Sequence, residues 1–563
     1  MARVQIEEME QLHKRNRLTL LVDGWEDKLK QSLYGTIASE VKQYPVVLGL
    51  EDVTGQRGSS EKVLAVVKNG MKSMGIEDGK LIIARTTDDP TVMQKFRQLF
   101  KEKYYWVLVF ACFLHGLNTI IREIYTYLCM KKIISQSTRI VSFFNASHYW
   151  GGQLKEEAKK ISVNQKLQTN TDTRWYALIL QSLNIQDHKR ALYEICLWPD
   201  AQKKIGGLLP VAVDVVKTVI YDMDYWTLLN QLIKINKPLV DAIRNLESCE
   251  ANLADCMLEF IRCARAMTRL ELEDGEDSGF FYHAKAVFNR RFHEMNTETH
   301  SLALFLHPLC RNLAVNQAAK ACLFETMLKT ALSIAKQEYY LVKGPFAGGK
   351  EDGLDWWETL PIRAKEHPLK ALTSVLLSIV PHAADVERFF SQLGGTQTAK
   401  RCNLATDTFK LLGKLRTNYN YHLHQKAILE GKSVRRRHGH MHTHENPGLN
   451  TELVKELETN FTIVPPFMIQ SGPMALSFEE DSYDEIMAEI EEAYKDIETD
   501  VVSPEEVDVD GSEILEGNVY NFDELARIDE GLAPAGFREE SDHIGEPQSA
   551  ASGWDIDTLM KTM

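Results

Sequence analysis

Three carboxylates stand at positions suited to gripping a divalent cation. LTLLVDGW (residues 18–25) and LIIARTTDDP (81–90) are apolar runs that each close on an aspartate, Asp23 and Asp88. ADVERFFSQLG (384–394) carries Glu387 on a stretch with helical spacing. Mg²⁺ prefers oxygen ligands in octahedral geometry and keeps several waters, so two or three carboxylates plus a substrate phosphate complete its shell. Two such ions about 3.5–4 Å apart stabilise the attacking and leaving oxygens of an in-line displacement at phosphorus. Taken singly, an aspartate at a strand end is equally a turn former or a helix cap, and a Glu-Arg pair on a helix is a solvated face. The joint pattern and its order along the chain favour the metal.

These side chains must be positioned by strands and a helix. Residues 17–25, 32–41 and 44–53 read as three strands, and SSEKVLAVVKNGMKSMG as a helix with Val63, Val66, Val67 and Met71 on one face and a serine able to cap it. LIIART is a fourth strand, TVMQKFRQLFKEKY a helix and WVLVFACF a fifth strand. Adjacent β segments early and helical crossovers later predict a mixed sheet. From 116 to 365 the pattern turns helical, in stretches such as LNTIIREIYTYLCMKKII, TRWYALILQSLNI, PVAVDVVKTVIYDM and YWTLLNQLIKI. Three more helical segments follow, HPLKALTSVLLSIV, ADVERFFSQLGG and TDTFKLLGKLRTNYNYHL. The expected organisation is a lead-in (1–16), an α/β domain (17–115) interrupted by an all-helical insertion (116–365), closing helices (366–425), a basic His-rich linker (426–450) and an acidic tail (451–563).

At 563 residues the chain exceeds the size at which one core keeps growing, so more than one domain is expected. Its 44% hydrophobic and 26% charged content is that of an ordinary globular protein. The apolar run from Trp106 to Leu117 is too short to span a bilayer and holds His115, so a membrane role is not expected. Nine scattered cysteines argue for reduced thiols, with Cys249, Cys256 and Cys263, seven apart, on one core-facing helical stripe. The net charge of −14 conceals an asymmetry. Thr451 to Met563 holds 30 of the 79 acidic residues and only 5 of the 65 basic ones, leaving 60 basic and 49 acidic residues in positions 1–450. A basic body suits phosphate contacts.

Several motifs in order now carry a family likeness: DGW in the first strand, TDDP after the fourth, Cys112 and His115 in CFLHGLN, Thr173-Arg174-Trp175, Trp356-Trp357, and ERFFS with the segment after it. Over about residues 18 to 425 the chain resembles the hAT transposases, cut-and-paste DNA transposases whose ribonuclease-H-like catalytic domain is interrupted by a helical insertion. The resemblance implies a nuclear enzyme that cleaves and joins DNA strands with Mg²⁺ or Mn²⁺ held by Asp23, Asp88 and Glu387. Asp89 stands where the family often has Asn, which makes Asp88 the choice and Asp89 the fallback. Cys112 and His115 match the family's Cys-x-x-His. With no second pair at zinc-finger distance, Cys112 reads as core and His115 as a supporting group, with direct ligation the alternative. Arg388 is a further supporting group. The resemblance gives Arg174 and Trp175 a DNA contact, the indole stacking on an unpaired base for roughly 1–3 kcal/mol and the guanidinium gripping phosphate. On spacing alone Trp175 reads rather as a core residue at a helix start.

The likeness has departures. Family members typically begin with a BED-type zinc module, whereas the residues before Asp23 hold only His13 and no Cys or His pair, so recognition of specific transposon ends is not expected from them. A domesticated, non-catalytic, DNA-associated or protein-interacting dimer is the competing expectation. Phe389, Phe390, Leu393, Phe409, Leu411, Leu412 and Leu415 offer apolar surface for a homodimer, or for packing within the chain. RRRHGHMHTHE (435–445) is a basic, His-rich stretch suited to nuclear import, phosphate contact or plain solvation. The acidic tail is expected to be largely disordered, except that SYDEIMAEIEEAYKDI, FDELARIDEGL and WDIDTLM have the pattern to fold onto a partner or onto the basic body.

Overall fold

Five strands form the sheet: β1 (Leu18–Glu26), β2 (Ser32–Ser39), β3 (Val46–Asp52), β4 (Ile82–Thr87) and β5 (Leu108–Ala111), in the order β3-β2-β1-β4-β5. The computed structural model describes residues 2–26, 30–56, 58–167, 175–203, 209–248, 250–311, 313–314, 346, 348–350, 352–365, 367–394, 406–431, 520 and 522–530. β2 runs antiparallel to both β1 and β3, whereas β1 pairs parallel with β4 and β4 with β5. The protein is mixed α/β, with a five-stranded mixed sheet and a mostly helical remainder.

The period of two in β1 explains both faces of the sheet. Leu18, Leu20 and Val22 join Leu12, Met71, Phe96 and Phe100 in one core, against helices Ala2–His13, Ser60–Ser73 and Thr91–Lys103. Leu21, with Ile37 and Ala84, belongs to the opposite core, which holds Phe113 and Leu117 of helix Phe113–Ile124 and Phe389 and Phe390 of helix Ala384–Gly394. That second core runs on without a break into the helical block, through Phe260, Phe288 and Trp357. Ser59 caps its helix as expected, its side chain accepting the Lys62 N–H.

Two local expectations are revised, and one tail segment folds as its pattern allows. The lead-in is a helix, Ala2–His13, which seats Leu12 in the core; its sequence lacks a clean apolar period because Glu8 is buried while Ile6 is exposed. The stretch read as one helix from Leu117 to Ile134 is two, Phe113–Ile124 and Leu128–Ala146, because Tyr127 takes an extended conformation and the Thr126 hydroxyl donates back to the Glu123 carbonyl at 2.7 Å. Within the acidic tail, FDELARIDEGL does fold: Phe522–Asp529 is a helix, with Tyr520, Leu525 and Ile528 buried in the body. The other two tail segments, the stretch 435–445, Cys249 and Arg174 lie outside the described residues. Cys256 and Cys263 are buried, as core packing requires. Among the described residues no helix is long and apolar enough to cross a membrane.

Candidate metal centre

Parallel pairing sets the first half of the site. Val22 of β1 is level with Thr87 of β4, so Asp23, which lies within β1 rather than at its end as expected, and Asp88, just past the end of β4, stand at the same height. Asp23 shares the parity of Leu21, and Asp88 that of Ala84, so both aspartates stand on the side of the sheet where helices Phe113–Ile124 and Ala384–Gly394 pack. Asp23 is buried, and its Oδ1 accepts the Gly24 N–H at 2.9 Å.

The second half arrives from far along the chain. Helix Ala384–Gly394 has Glu387 in its first turn, where the helix dipole favours a carboxylate. Its seat is tied down by hydrogen bonds from several elements. Thr86 Oγ1 donates to the Val380 carbonyl at 2.9 Å, the Val380 N–H donates to Thr19 Oγ1 at 3.1 Å, and the Phe113 N–H donates to the Pro381 carbonyl at 3.1 Å. Ser39 Oγ donates to Asp385 Oδ2 at 2.8 Å, and Arg388 donates to Asp385 Oδ1 at 2.7 Å and to the Glu247 carbonyl. Cys112 is buried and accepts the Ala383 N–H at 3.3 Å, so it positions the approach to the helix.

Asp23, His115 and Glu387 each offer a ligand atom, and these atoms lie within 4.8 Å of one another. His115 Nε2 is 3.6 Å from Glu387 Oε1. His115, expected as a supporting group, is therefore at ligand distance. Asp88 is beside the trio rather than in it: its charge acts on both Asp23 and His115, and its Oδ1 is buried without a hydrogen-bond partner. Asp89 is exposed and pairs with Arg97, which also holds the Asp88 carbonyl at 2.7 Å, so Asp88 is the aspartate whose field reaches Asp23.

The electrostatics are those of a site short of positive charge. Burial pushes the Asp23 carboxyl up to about 7; His115 opposes this, and Glu387 and Asp88 add to it. Burial also raises Asp88, against His115 and Arg97. At His115 burial works against the imidazolium, but the Cys112 sulfur, Glu387 and Asp23 outweigh it and hold the pKa well above the usual histidine range. Its Nδ1 is buried without a hydrogen-bond partner. The buried, unpartnered Oδ1 of Asp88 and carboxyls that resist ionisation fit a divalent ion held by the residues present. Oxygen donors alone suit Mg²⁺; an imidazole in the set suits Mn²⁺ or Zn²⁺ better.

Gly35 was not among the expected site residues, yet it decides whether the helix can approach. It pairs with Asp23 across β1 and β2, and a Cβ there would lie 2.8 Å from Phe390 Cζ and 3.2 Å from Val386 Cγ1. Phe390 cannot easily give way, since it stacks on Trp25 with centroids 5.5 Å apart. Gly35→Ala is expected to destabilise the protein by about 1–3 kcal/mol through overpacking. Because Val386 precedes Glu387, it should also weaken Mn²⁺ binding; wild-type melting and titration curves would contradict this close approach. Tyr34, whose ring lies 3.1 Å from where a Gly24 Cβ would be, stands within the field of Asp23 and Asp88, which with burial raise its pKa.

Trp175 opens helix Trp175–Cys196, partly buried edge-on to Tyr125 at 6.0 Å. The Tyr176 N–H donates to Asn118 Oδ1 at 3.2 Å, which fixes the start of that helix three residues beyond His115 on helix Phe113–Ile124. Trp357 is fully buried, its indole N–H donating to the Leu306 carbonyl at 2.7 Å, and is a core residue. No family model matches the chain, and no curated protein matches it.

Proposed function

We propose that the chain is a hAT-like DNA transposase or a relic of one, cleaving and joining DNA strands at Asp23, Asp88 and Glu387 with Mn²⁺ or Mg²⁺. The observation that carries this reading is the convergence of carboxylates from two neighbouring strands with Glu387, whose ligand atom lies within 4.8 Å of those of Asp23 and His115 although hundreds of residues separate Glu387 from both in sequence. The strand order, with β2 alone running against the rest, supports a ribonuclease-H-like core. When bound, a pair of divalent cations supplies an activated water or 3′-hydroxyl and stabilises the leaving oxygen. Asp23 and Glu387 hold the cations from opposite elements, Asp88 widens the site, and His115 either completes the ligand set or carries a proton beside it. Trp175, at a helix start near His115, offers an indole to an unpaired base, and a guanidinium at Arg174 would sit next to it in sequence.

The test is cleavage of a labelled duplex bearing candidate terminal repeats, with Mn²⁺ or Mg²⁺ and the full chain. Nicking that Glu387→Gln removes supports the enzyme. Absence of cleavage with both ions rejects it and leaves the non-catalytic, DNA-associated dimer.

The dimer has its own observation. Phe389, Phe390, Leu393 and Phe409 are buried within the chain, Phe409 and Phe390 against Trp25. Leu412 and Leu415 remain 37% and 40% exposed, and Tyr419 and Leu423 continue them at helical spacing along helix Thr406–Leu429. Such a stripe marks a helix-to-helix contact between copies. Leu415→Asp with Leu423→Asp is expected to convert a dimer to a monomer by light scattering without lowering the melting temperature; a wild-type chain that is monomeric at micromolar concentration sinks the dimer.

A further inference from the structure

The acidic helix Phe522–Asp529 rests on the helical block far from its place in the sequence. Phe522, Leu525 and Ile528 recur every three residues and form its apolar face, and Tyr520, Leu525 and Ile528 are at most 2% exposed. The Tyr520 ring meets Phe292 at 6.0 Å, and its hydroxyl accepts from Asn296 Nδ2 at 3.4 Å. At the end of the helix, Asp529 Oδ1 accepts from Arg262 Nε at 3.0 Å and Nη2 at 2.7 Å, and Oδ2 from Arg265 Nη1 at 3.3 Å. Arg262 also grips Glu259 of its own helix.

We propose that this surface of helix Leu253–Thr268, flanked by Phe292 and Asn296, is a docking site for an acidic amphipathic helix, and that residues 520–529 are its detachable ligand in cis. Three features support a ligand rather than a fixed part of the core. An eight-residue helix is too short to persist alone in water, so its order depends on the seat it occupies. The ionic part of its hold includes the Asp529 carboxylate shared by two arginines, an arrangement that salt weakens. And residues 432–519 separate it in sequence from helix Thr406–Leu429, so covalent linkage alone keeps the segment at a high local concentration near its seat. Arg262 and Arg265 lie on helix Leu253–Thr268 and the exposed Arg269 caps its end, so three guanidiniums stand along the seat where Asp529 docks. The partner it fits has apolar residues at i, i+3 and i+6 followed at once by a carboxylate, the helix-in-groove mode of recognition.

The inference does not depend on the DNA reading. A fluorescein-labelled peptide of residues 516–533 is titrated against the full chain and against full-length Leu525→Asp with Ile528→Asp, whose own segment can no longer dock. The peptide should bind the variant at least about tenfold more tightly than the wild type, because the tethered copy competes in the latter. Binding should fall between 50 and 500 mM salt, and a peptide carrying Asp529→Lys should lose about tenfold or more. In the wild type, amides of 522–529 should exchange with deuterium far faster than those of Leu253–Thr268. Equal protection of the two helices, equal peptide binding to both proteins, or loss of the variant's main melting transition would each make the segment a fixed core element and overturn the proposal. Displacement of the peptide by a random-sequence DNA duplex as effectively as by unlabelled peptide would overturn it too, marking the arginines as a phosphate site.

Discussion

Asp23→Asn is expected to abolish Mn²⁺ binding and DNA cleavage while leaving the metal-free protein more stable at pH 8 than the wild type. The two effects share one cause. Asp23 is buried beside Glu387 and Asp88, and its carboxyl is pushed up to about 7, so above that pH the folded chain carries an anion that its surroundings disfavour. An amide of the same shape carries no charge. The shift from 3.8 to about 7 corresponds to a folding penalty on the order of 4 kcal/mol when fully expressed, since one pKa unit is about 1.4 kcal/mol. The sign follows from the proton balance: the folded state binds the Asp23 proton more tightly than the unfolded one, so the Asp23 penalty on metal-free stability is absent below about pH 4, grows as pH rises, and is complete above about 7. Asp23→Asn should therefore melt a few degrees higher at pH 8 and show little difference at pH 4. Metal catalysis of this kind supplies several kcal/mol, so cleavage should fall at least ~10³-fold. Asp88→Asn, outside the closest trio, should spare binding of the first ion. Calorimetric melting of metal-free protein, Mn²⁺ titration and a nicking assay check the set. A variant with wild-type Mn²⁺ affinity would remove Asp23 from the centre.

Mn²⁺ affinity should rise steeply with pH up to about 7 and less steeply above it. A cation needs the carboxylate ionised, so each ion bound below pH 7 expels the proton from Asp23, and one displaced proton makes affinity climb about tenfold per pH unit. His115, whose pKa lies well above the usual range, adds a second proton when its imidazole becomes a ligand. Its nitrogen is at ligand distance from Asp23 and Glu387, and the expected slope between pH 6 and 7 is accordingly close to two protons per ion. Calorimetry in two buffers of different ionisation enthalpy measures that number. His115→Ala should reduce it by about one. A slope of one in the wild type returns His115 to a supporting role, and a pH-independent affinity contradicts the buried, proton-holding site altogether.

Much of the arrangement was legible because local chemistry and local period agree. Apolar runs that stop at Asp23 and Asp88, and a serine that caps Ser60–Ser73, identify β1, β4 and the carboxylates without any knowledge of contacts. The acidic segment from Phe522 showed its apolar period in the same way, although which surface would receive it did not follow from its own residues. Tertiary structure alone decided the rest. Asp23 and Asp88 come level because β1 and β4 pair in parallel at Val22 and Thr87, a register set by the packed faces of the sheet rather than by either strand. Glu387 reaches them because Gly35 clears space for Phe390, and because hydrogen bonds from Thr19, Ser39 and Thr86 hold the last helix against strands hundreds of residues earlier. His115 joins the trio through the turn after β5, where Cys112 ties that helix to Ala383. Residue types state which groups can bind a cation; the distances among them depend on long-range packing, which no local period encodes.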